Sequence, residues 1–373
     1  MEFLRNLYRN FLVFDENYFL GDVKGWLGVK ELKLTKEILE QFHENYQKNS
    51  FALFLKYIKD IVYSKNVFDF IPKNSLGDWD LWYYLKFLEK EKIIKIKRNG
   101  KVFVLKKEVL NLIPRPLSEE EIRDEIEKKL KTKVKENEPS SGLFKRFFNF
   151  KIKAKFDQLP ISQGSAIFAV KKILEYLPLT KKFLFVGDDD FVSVILGLAS
   201  PDIESTVVDV DEQLLNCLNL LSFKFNLKIK TQKIDIQKEK FLGEKFIGFL
   251  TNPAYTEEGA KEFLKFGISQ LGEDGGFCFL EIGDEAIGNR FLFLQDFFVK
   301  KNLIIKELIS NKICYPWFLI QKEDKLIYER LRAMLDEKVI KKSPKLSASL
   351  YIFDYLPFKV KKLKLKTPIY SYL

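Results

Sequence analysis

The sequence predicts an α/β fold, a doubly wound parallel sheet preceded by a smaller α+β domain. Two observations predict the sheet. From Phe156 onward, short apolar runs alternate with patterns of helical length, which is typical of successive βαβ units. One run, Phe183–Val186, is followed by Gly187 and three aspartates, at the kind of strand end where such sheets bind ligands. Helical patterns that precede a hairpin signal predict the smaller domain.

The composition excludes several kinds of protein. With 373 residues, 46% of them hydrophobic, the chain is long enough for two globular domains. The net charge of +11 suits nucleic acid, an acidic partner or a membrane surface, but abundant charge of both signs is also common in thermophile proteins. Cys217, Cys278 and Cys314 are widely spaced and odd in number, which argues against a disulfide framework or a zinc site. The single histidine, His43, nearly excludes a Ser-His-Asp mechanism.

The chain shows no sign of a membrane or secretory segment. It contains no run of 18 apolar residues, and charged side chains from Glu2 to Asp15 interrupt any apolar region of a signal peptide. We therefore expect a cytoplasmic protein that does not associate with membranes.

Residues 1–113 are predicted to form a winged-helix-like domain. Helical patterns cover Lys36–Lys48, Phe51–Val62 and Asn74–Lys92, and Lys92–Leu105 is a predicted hairpin that turns at Asn-Gly. The hairpin would be a basic wing able to touch a phosphate backbone. The alternative is a dimerisation or lid domain whose charged hairpin is only solvated.

Three further segments follow. Residues 114–150 contain a charged helix that begins at the capping box Ser118–Glu121, and then a linker. Residues 151–330 form the predicted catalytic domain, and residues 331–373 are predicted to be a lysine-rich tail. Within 151–330 the predicted strands are Phe183–Val186, Thr206–Val210, Lys228–Ile234, Phe246–Leu250 and Gly276–Ile282, and the predicted helices are Ser162–Leu177, Phe191–Ala199, Glu212–Phe225 and Gly259–Leu271.

The turn Gly187–Asp190 is the predicted centre of the active site. A ligand carboxylate about 4 Å from a fixed carboxylate meets roughly 1 kcal/mol of repulsion in water and about 4 kcal/mol at an effective dielectric constant of 20. In S-adenosylmethionine enzymes with this layout, the first loop usually holds the methionine carboxylate. Ordinary S-adenosylmethionine therefore fits this acidic turn poorly. Decarboxylated S-adenosylmethionine ends in a cationic aminopropyl arm that the three aspartates would attract. The alternative is that Asp188, Asp189 and Asp190 cap the following helix, although a helix needs only one such cap.

Polar residues also follow the other predicted strands. Asp209 and Asp211 lie about 20 positions after the glycine, where an acidic residue holds ribose hydroxyls, although either could be a solvated loop carboxylate. Asp235 follows the next strand, and the sequence TNPAYT at Thr251–Thr256 follows the one after that. In this last turn, Asn252 and the Pro253 carbonyl would orient an amine while Tyr255 packs on it, unless the segment is a plain turn. Further acids that could deepen the cleft or be merely solvated are Glu257, Glu258, Glu281, Asp284 and Glu285.

The motifs together resemble those of the branched-chain polyamine synthases, also called N(4)-bis(aminopropyl)spermidine synthases. The resemblance runs from about Phe156 to Trp317, and its most specific element is the GDDD turn. The other elements that carry it are Phe156-Asp157-Gln158 before Ser162, VVDVDE at Val207–Glu212, TNPAYT with the following Glu-Gly, and Tyr315-Pro-Trp317. The chain differs at Asn252 and Ala254, where the family usually has Asp-Pro-Pro, and so lacks one carboxylate that could hold the acceptor's charge or proton.

The resemblance implies a Rossmann-like catalytic domain of the class I methyltransferase type. It implies an aminopropyltransferase that moves the aminopropyl group of decarboxylated S-adenosylmethionine to the secondary amine of spermidine and releases methylthioadenosine, without a metal. We expect a homodimer that binds polyamine and not nucleic acid.

The predicted roles centre on Asp189, which would hold the proton and orient the amine. Asp188 and Asp190 would bind cations, Asp157 and Gln158 would line the pocket, Asp209 or Asp211 would bind ribose, and Asp235 would bind the adenine amino group. The competing hypotheses are an S-adenosylmethionine-dependent N-methyltransferase acting on nucleic acid and a non-catalytic DNA-binding protein.

Overall fold

The computed structural model describes residues 2–14, 49–69, 78–133, 152–177, 182–239, 242–317, 319 and 321–358. The chain divides into two compact units, one of residues 1–113 with 356–373 and one of residues 114–355. The predicted helix Lys36–Lys48 and His43 lie outside the described residues. Within them, no helix is both long and apolar enough to span a bilayer.

The first unit consists mainly of helices and one small hairpin. Its helices are α1 (Glu2–Leu12), α2 (Phe51–Val62), α3 (Asp78–Lys90) and α4 (Lys107–Leu112). Strands β1 (Ile94–Ile96) and β2 (Val102–Val104) pair antiparallel, as the Asn-Gly turn predicts. Aromatic rings fill the core, where Phe11 stacks on Tyr84 with centroids 4.7 Å apart. The winged-helix assignment stays a prediction.

The second unit contains a seven-stranded sheet, counted over the described residues, in the order β5-β4-β3-β6-β7-β9-β8. Strands β3 to β7 are parallel, whereas β9 pairs antiparallel with both β7 and β8. The strands are β3 (Lys182–Val186), β4 (Glu204–Asp209), β5 (Ile229–Lys233), β6 (Gly248–Thr251), β7 (Gly276–Ile282), β8 (Leu303–Tyr315) and β9 (Leu346–Tyr355). The strand order reverses beside β3, which places a switch point at its carboxyl end. The doubly wound sheet predicted from the sequence is confirmed.

Side chains cap several of the helices in this unit. Ser118 and Glu121 form the predicted capping box, and Ser162, Asp211 and Thr256 each accept a hydrogen bond from an amide of the helix that follows. The helices are α5 (Glu119–Lys133), α6 (Gln163–Tyr176), α7 (Val192–Ala199), α8 (Glu212–Phe225), α9 (Glu257–Ser269), α10 (Asp284–Ile287), α11 (Phe291–Lys300), α12 (Lys322–Arg332) and α13 (Glu337–Lys342).

Apolar side chains cover both faces of the sheet. On one face, Leu184, Phe249 and Leu280 pack with Leu264 of α9 and Phe298 of α11. On the other, the rings of Phe277 and Phe279 meet Tyr176 of α6 edge to face. Because a strand alternates its side chains between the two faces, strands buried on both sides have nearly continuous apolar sequences. This explains why the strand predictions were close to the observed bounds.

The interpretation of residues 331–373 as a tail is wrong for residues up to 355. Residues of this segment form α13 and then β9, which lies between β7 and β8 in the sheet. Phe353 and Ile352 of β9 are fully buried. The lysines that suggested a tail are concentrated before and after the strand, so composition averaged over the segment hid the apolar run.

Candidate active site

The turn that follows β3 has the backbone conformation of a ligand-binding loop. Gly187 has φ +76°, in the left-handed region that favours glycine, and its amide donates to the Val208 carbonyl of β4 at 2.9 Å. The hydroxyl of Thr251 on β6 donates to the Val186 carbonyl at 2.9 Å. The turn is thus fixed between the two strands on either side of β3.

The three aspartates of this turn accept hydrogen bonds from three different segments. Asp188 accepts from the amides of Val192, at 2.8 Å, and Ser193, so it caps α7. Asp189 accepts from the Leu159 amide at 3.0 Å, and Asp190 from the Ile161 amide at 2.7 Å. The capping alternative therefore applies to Asp188 alone, while the other two carboxylates hold the loop that precedes α6.

The segment before α6 carries two predicted site residues, Asp157 and Gln158. Asp157 is exposed, and its charge contributes to raising the pKa of Tyr255, so it lies within electrostatic range of that hydroxyl. Gln158 is buried, and its amide nitrogen donates to Asp211 at 3.0 Å while its oxygen accepts from the Lys153 amide at 2.9 Å. Gln158 therefore connects this segment to the start of α8.

The structure separates the two candidates for the ribose carboxylate. Asp211 is buried and accepts from the Lys153 ammonium at 2.5 Å, from Gln158 and from the Gln213 amide, so both of its oxygens are occupied. Asp209 accepts from the Asp211 amide at 2.7 Å through Oδ1, and its Oδ2 faces Gly187. Of the two, only Asp209 has a carboxylate oxygen, Oδ2, beside Gly187 of the turn.

A chain of hydrogen bonds joins the turn after β6 to the end of β8. Asn252 donates to Asp190 at 2.8 Å and accepts from the Tyr315 hydroxyl at 3.0 Å. The Tyr315 hydroxyl proton is used in this bond, so Tyr255 donates to Tyr315 across 2.5 Å. Pro253, which lies between Asn252 and Tyr255 in the sequence, is buried. Asn252 thus holds Asp190 in place and is connected to both phenols.

Tyr315 is a site residue that the sequence analysis named only as part of a motif. The end of β8 reaches the site because Ser162 and Ser165 at the start of α6 bond to it. The Ser165 hydroxyl accepts from the Cys314 amide at 2.8 Å, and the Ser162 amide donates to the Cys314 carbonyl at 2.7 Å. Tyr315 is 63 positions from Asn252 along the chain, so no local pattern could have joined them.

Glu281 is the second residue whose importance the sequence left open. It lies near the carboxyl end of β7 and is fully buried, and neither of its oxygens has a hydrogen-bond partner. Of the other four acids in the predicted group, Glu257 pairs with Lys261, Asp284 accepts from Ser349 and Tyr351, and Glu258 and Glu285 are exposed.

Burial and mutual repulsion raise the pKa values of the site's carboxyls. Burial raises the pKa of Asp190 to about 6 and that of Asp209 to about 6, despite opposing hydrogen bonds. Burial and then the neighbouring charges of Asp190 and Asp209 raise the pKa of Asp189 well above its usual range. Within the described residues, none of these three forms an ion pair with lysine or arginine. The site is therefore poised to accept a cation.

Asp235 does not join this group through its side chain. It pairs with the Lys238 ammonium at 2.7 Å, which lowers its pKa, and accepts from the Gln237 amide at 3.1 Å. Its proposed contact with adenine stays a prediction.

The described residues contain no group of three or more His, Cys, Asp or Glu side chains placed to hold a metal ion. The expectations of a metal-free reaction, a homodimer and a cytoplasmic location all stay predictions.

Comparison with known proteins decides the family. A model of the branched-chain polyamine synthase A C-terminal domain matches residues 149–347, more than half of the chain. The chain belongs to the branched-chain polyamine synthase family. This confirms the resemblance drawn from the GDDD and Tyr-Pro-Trp motifs. The family match does not favour a methyltransferase acting on nucleic acid.

Two curated proteins of Methanocaldococcus jannaschii are similar to this branched-chain polyamine synthase family member. An uncharacterized protein is 38% identical over 133 residues, which cover 35% of this chain and 34% of that protein. An N(4)-bis(aminopropyl)spermidine synthase is 31% identical over 137 residues, which cover 35% of this chain and 39% of that protein. The matched segment thus spans little more than a third of either relative.

A solved structure is also similar. The branched-chain polyamine synthase from Thermus thermophilus, crystallised with N4-aminopropylspermidine and 5′-methylthioadenosine, covers 95% of this chain and 96% of its own. It shares 13% sequence identity, with a TM-score of 0.48.

Proposed function

We propose that this protein transfers the aminopropyl group of decarboxylated S-adenosylmethionine to the secondary amine of spermidine or a related polyamine. The observation that carries the proposal is the buried acidic turn after β3, in a family of polyamine synthases. Asp188 and Asp190 are 3% and 8% exposed, and the hydrogen bonds the turn accepts come from backbone amides and Asn252. A polycation supplies the positive charge that the described residues do not provide there.

The same electrostatics select the donor. The methionine carboxylate of S-adenosylmethionine would approach Asp189 and Asp190 in a site with little water, where like charges about 4 Å apart repel by roughly 4 kcal/mol at an effective dielectric constant of 20. The decarboxylated donor carries only ammonium and sulfonium charges, which the aspartates attract. Binding of the decarboxylated donor is therefore favoured and binding of the ordinary one is opposed.

We assign the adenosine contacts by the hydrogen bonds already in use. Asp209 places its Oδ2 beside Gly187 and would accept from the ribose hydroxyls. Asp211 and Gln158 would support it, since they bond to each other and to Lys153. Asp235 would bind the adenine amino group.

The reaction would be a direct displacement. The neutral amine nitrogen attacks the aminopropyl carbon, the carbon–sulfur bond breaks, and its electron pair stays on sulfur, which leaves as the neutral thioether methylthioadenosine. Because this leaving group needs no acid, the protein mainly aligns the reactants and removes the amine's proton. The raised pKa of Asp189 makes it a stronger base than an ordinary aspartate, so we propose that Asp189 accepts the proton of the amine. Asp190, Asn252, the Pro253 carbonyl and Tyr255 would orient the amine.

The test is a transfer assay with mass-spectrometric detection of the polyamine products. The wild type should add about 57 mass units per aminopropyl group, since a C₃H₈N group replaces one hydrogen. Asp189→Asn should lower kcat by about 100-fold or more, the scale expected for loss of a positioned base. Asp202→Asn is the matched control, because Asp202 is 92% exposed and lies beyond the opposite end of α7 from the turn. Equal rates for Asp189→Asn and the wild type, or preference for S-adenosylmethionine as donor, would contradict the proposal.

A further inference from the structure

Glu281 occupies an unusual position for a carboxylate. It is the sixth of seven residues in β7, and all seven are buried. Alternation along the strand places it on the same face as Phe277 and Phe279, which contact Tyr176 of α6. Thr251 of β6 pairs in register with Leu280, so Glu281 is level with Asn252, the first residue after β6. The side chain therefore continues the apolar face of the sheet up to the level of the site.

No group of the described protein satisfies this side chain. Both oxygens are inaccessible to solvent and neither has a hydrogen-bond partner. A buried carboxyl without partners is destabilising, because neither water nor the protein replaces its lost hydration. A ligand with hydrogen-bond donors would satisfy these two oxygens.

The charges around Glu281 indicate the kind of ligand. The carboxyls of Asp188, Asp189 and Asp190 act on it electrostatically and, after burial itself, raise its pKa well above the usual range. Glu281 in turn raises the pKa values of the Tyr255 and Tyr315 hydroxyls, which bond to each other and to Asn252. Its surroundings are thus acidic or phenolic, which repels an anion and favours a cation.

We infer that Glu281 binds a terminal ammonium group of the acceptor polyamine. This inference rests on the proposed function and adds to it an acceptor subsite on β7, separate from the aspartate turn after β3. A primary ammonium has three N–H donors, enough for both Glu281 oxygens and one neighbouring acceptor. Binding at one end of the polyamine would leave the secondary amine, a few methylenes away, free to meet the donor carbon beside Asp189.

The test measures how much each terminal ammonium of the acceptor contributes to binding. Spermidine is compared with N-butylpropane-1,3-diamine and N-propylbutane-1,4-diamine, which each keep the secondary amine and replace one terminal ammonium by hydrogen. Binding is measured by titration calorimetry on the full chain, with methylthioadenosine present, for the wild type and for Glu281→Gln. Glu285→Gln is the matched control, because it removes the same charge from an exposed residue four positions further along.

Glu281→Gln should weaken spermidine binding by about tenfold or more, the scale of a charge-assisted hydrogen bond. One of the two analogues lacks the ammonium that Glu281 binds. For this analogue, the dissociation constants of Glu281→Gln and the wild type should agree within about twofold. Glu285→Gln should match the wild type with all three ligands. Glu281→Asp keeps the charge on a shorter side chain. Its affinity for spermidine should lie between those of the wild type and Glu281→Gln, and it should depend on the ligand in the same way.

Equal weakening of all three ligands by Glu281→Gln, or no weakening of any, would overturn the inference. So would a wild type that does not bind spermidine. Binding is measured without turnover, so this test does not depend on the transfer assay. If the expected binding pattern were found but no aminopropyl group were transferred, the proposed function would be refuted and the ammonium subsite would not.

Discussion

At the scale of single residues, three neighbouring aspartates of identical chemistry have different tasks. Asp188 points back to the first amides of α7, whereas Asp189 and Asp190 point to the segment before α6. The difference arises because successive residues of a tight turn direct their side chains to different sides. Asp188 therefore caps α7, and the cation-binding role predicted for it stays a prediction.

Replacing Asp188 tests whether its main contribution is the capping of α7. Asp188→Ala leaves the Val192 and Ser193 amides without their acceptor, so the free energy of unfolding should fall by about 1–2 kcal/mol. Asp188→Asn keeps an acceptor oxygen and should stay within about 0.5 kcal/mol of the wild type. Urea unfolding measures both. If Asp188→Asn were as unstable as Asp188→Ala, the charge and not the cap would be what Asp188 contributes.

At the scale of elements, the site depends on two turns that follow adjacent strands. Tyr255, after β6, packs its ring against Gly283, after β7. A Cβ atom at Gly283 would lie 2.7 Å from the Tyr255 ring, closer than nonbonded atoms approach. The glycine is thus required for close approach and not for backbone conformation. It lets Tyr255 reach the Tyr315 hydroxyl at the end of β8.

Gly283→Ala should therefore displace Tyr255 and lower transfer activity. We expect a loss of about tenfold or more in kcat/KM for the acceptor, since a displacement of about 1 Å in a positioning group has effects of this order. Gly272→Ala is the matched control, because its Cβ would meet only the Phe246 carbonyl, at 3.9 Å. Both variants are assayed at saturating donor. Full activity in Gly283→Ala would show that the Tyr255 position does not matter for transfer.

At the scale of the whole molecule, the buried acids make stability depend on pH in an unusual direction. A carboxyl whose pKa is raised by folding binds its proton more tightly in the folded state. Its contribution is fully present below the usual carboxyl pKa and is lost as the pH rises through the raised value. For Asp190 and Asp209 that value is about 6.

The pH dependence can be isolated by comparing the wild type with Asp190→Asn. The variant cannot ionise at this position, so its free energy of unfolding should rise relative to the wild type between about pH 4 and about pH 6. The charge of Asp190 also raises the pKa values of Asp189, Glu281 and the two phenols. Its loss in the variant lowers these values and adds to the same trend. Asp202→Asn should show no such trend. A constant difference between wild type and Asp190→Asn across this range would mean that Asp190 keeps an ordinary pKa.

The amino-acid sequence alone determined the five parallel strands β3 to β7 and the first half of the site. Apolar runs of strand length, the capping box at Ser118 and the glycine-aspartate turn are all local signals, because each depends on neighbouring residues. Asp189, Asp190, Asn252 and Tyr255 were predicted because they follow strands whose carboxyl ends meet at one edge. The family followed from the same turns.

Only the tertiary structure decided which side chains complete that site. It places β9 between β7 and β8, brings Tyr315 to Asn252, directs Asp209 and not Asp211 toward Gly187, and leaves Glu281 without a partner. Each of these depends on contacts between segments distant in sequence, where neither periodicity nor spacing carries information. The physical reason is that a carboxylate's role is set by its burial and its neighbours, and folding alone supplies both.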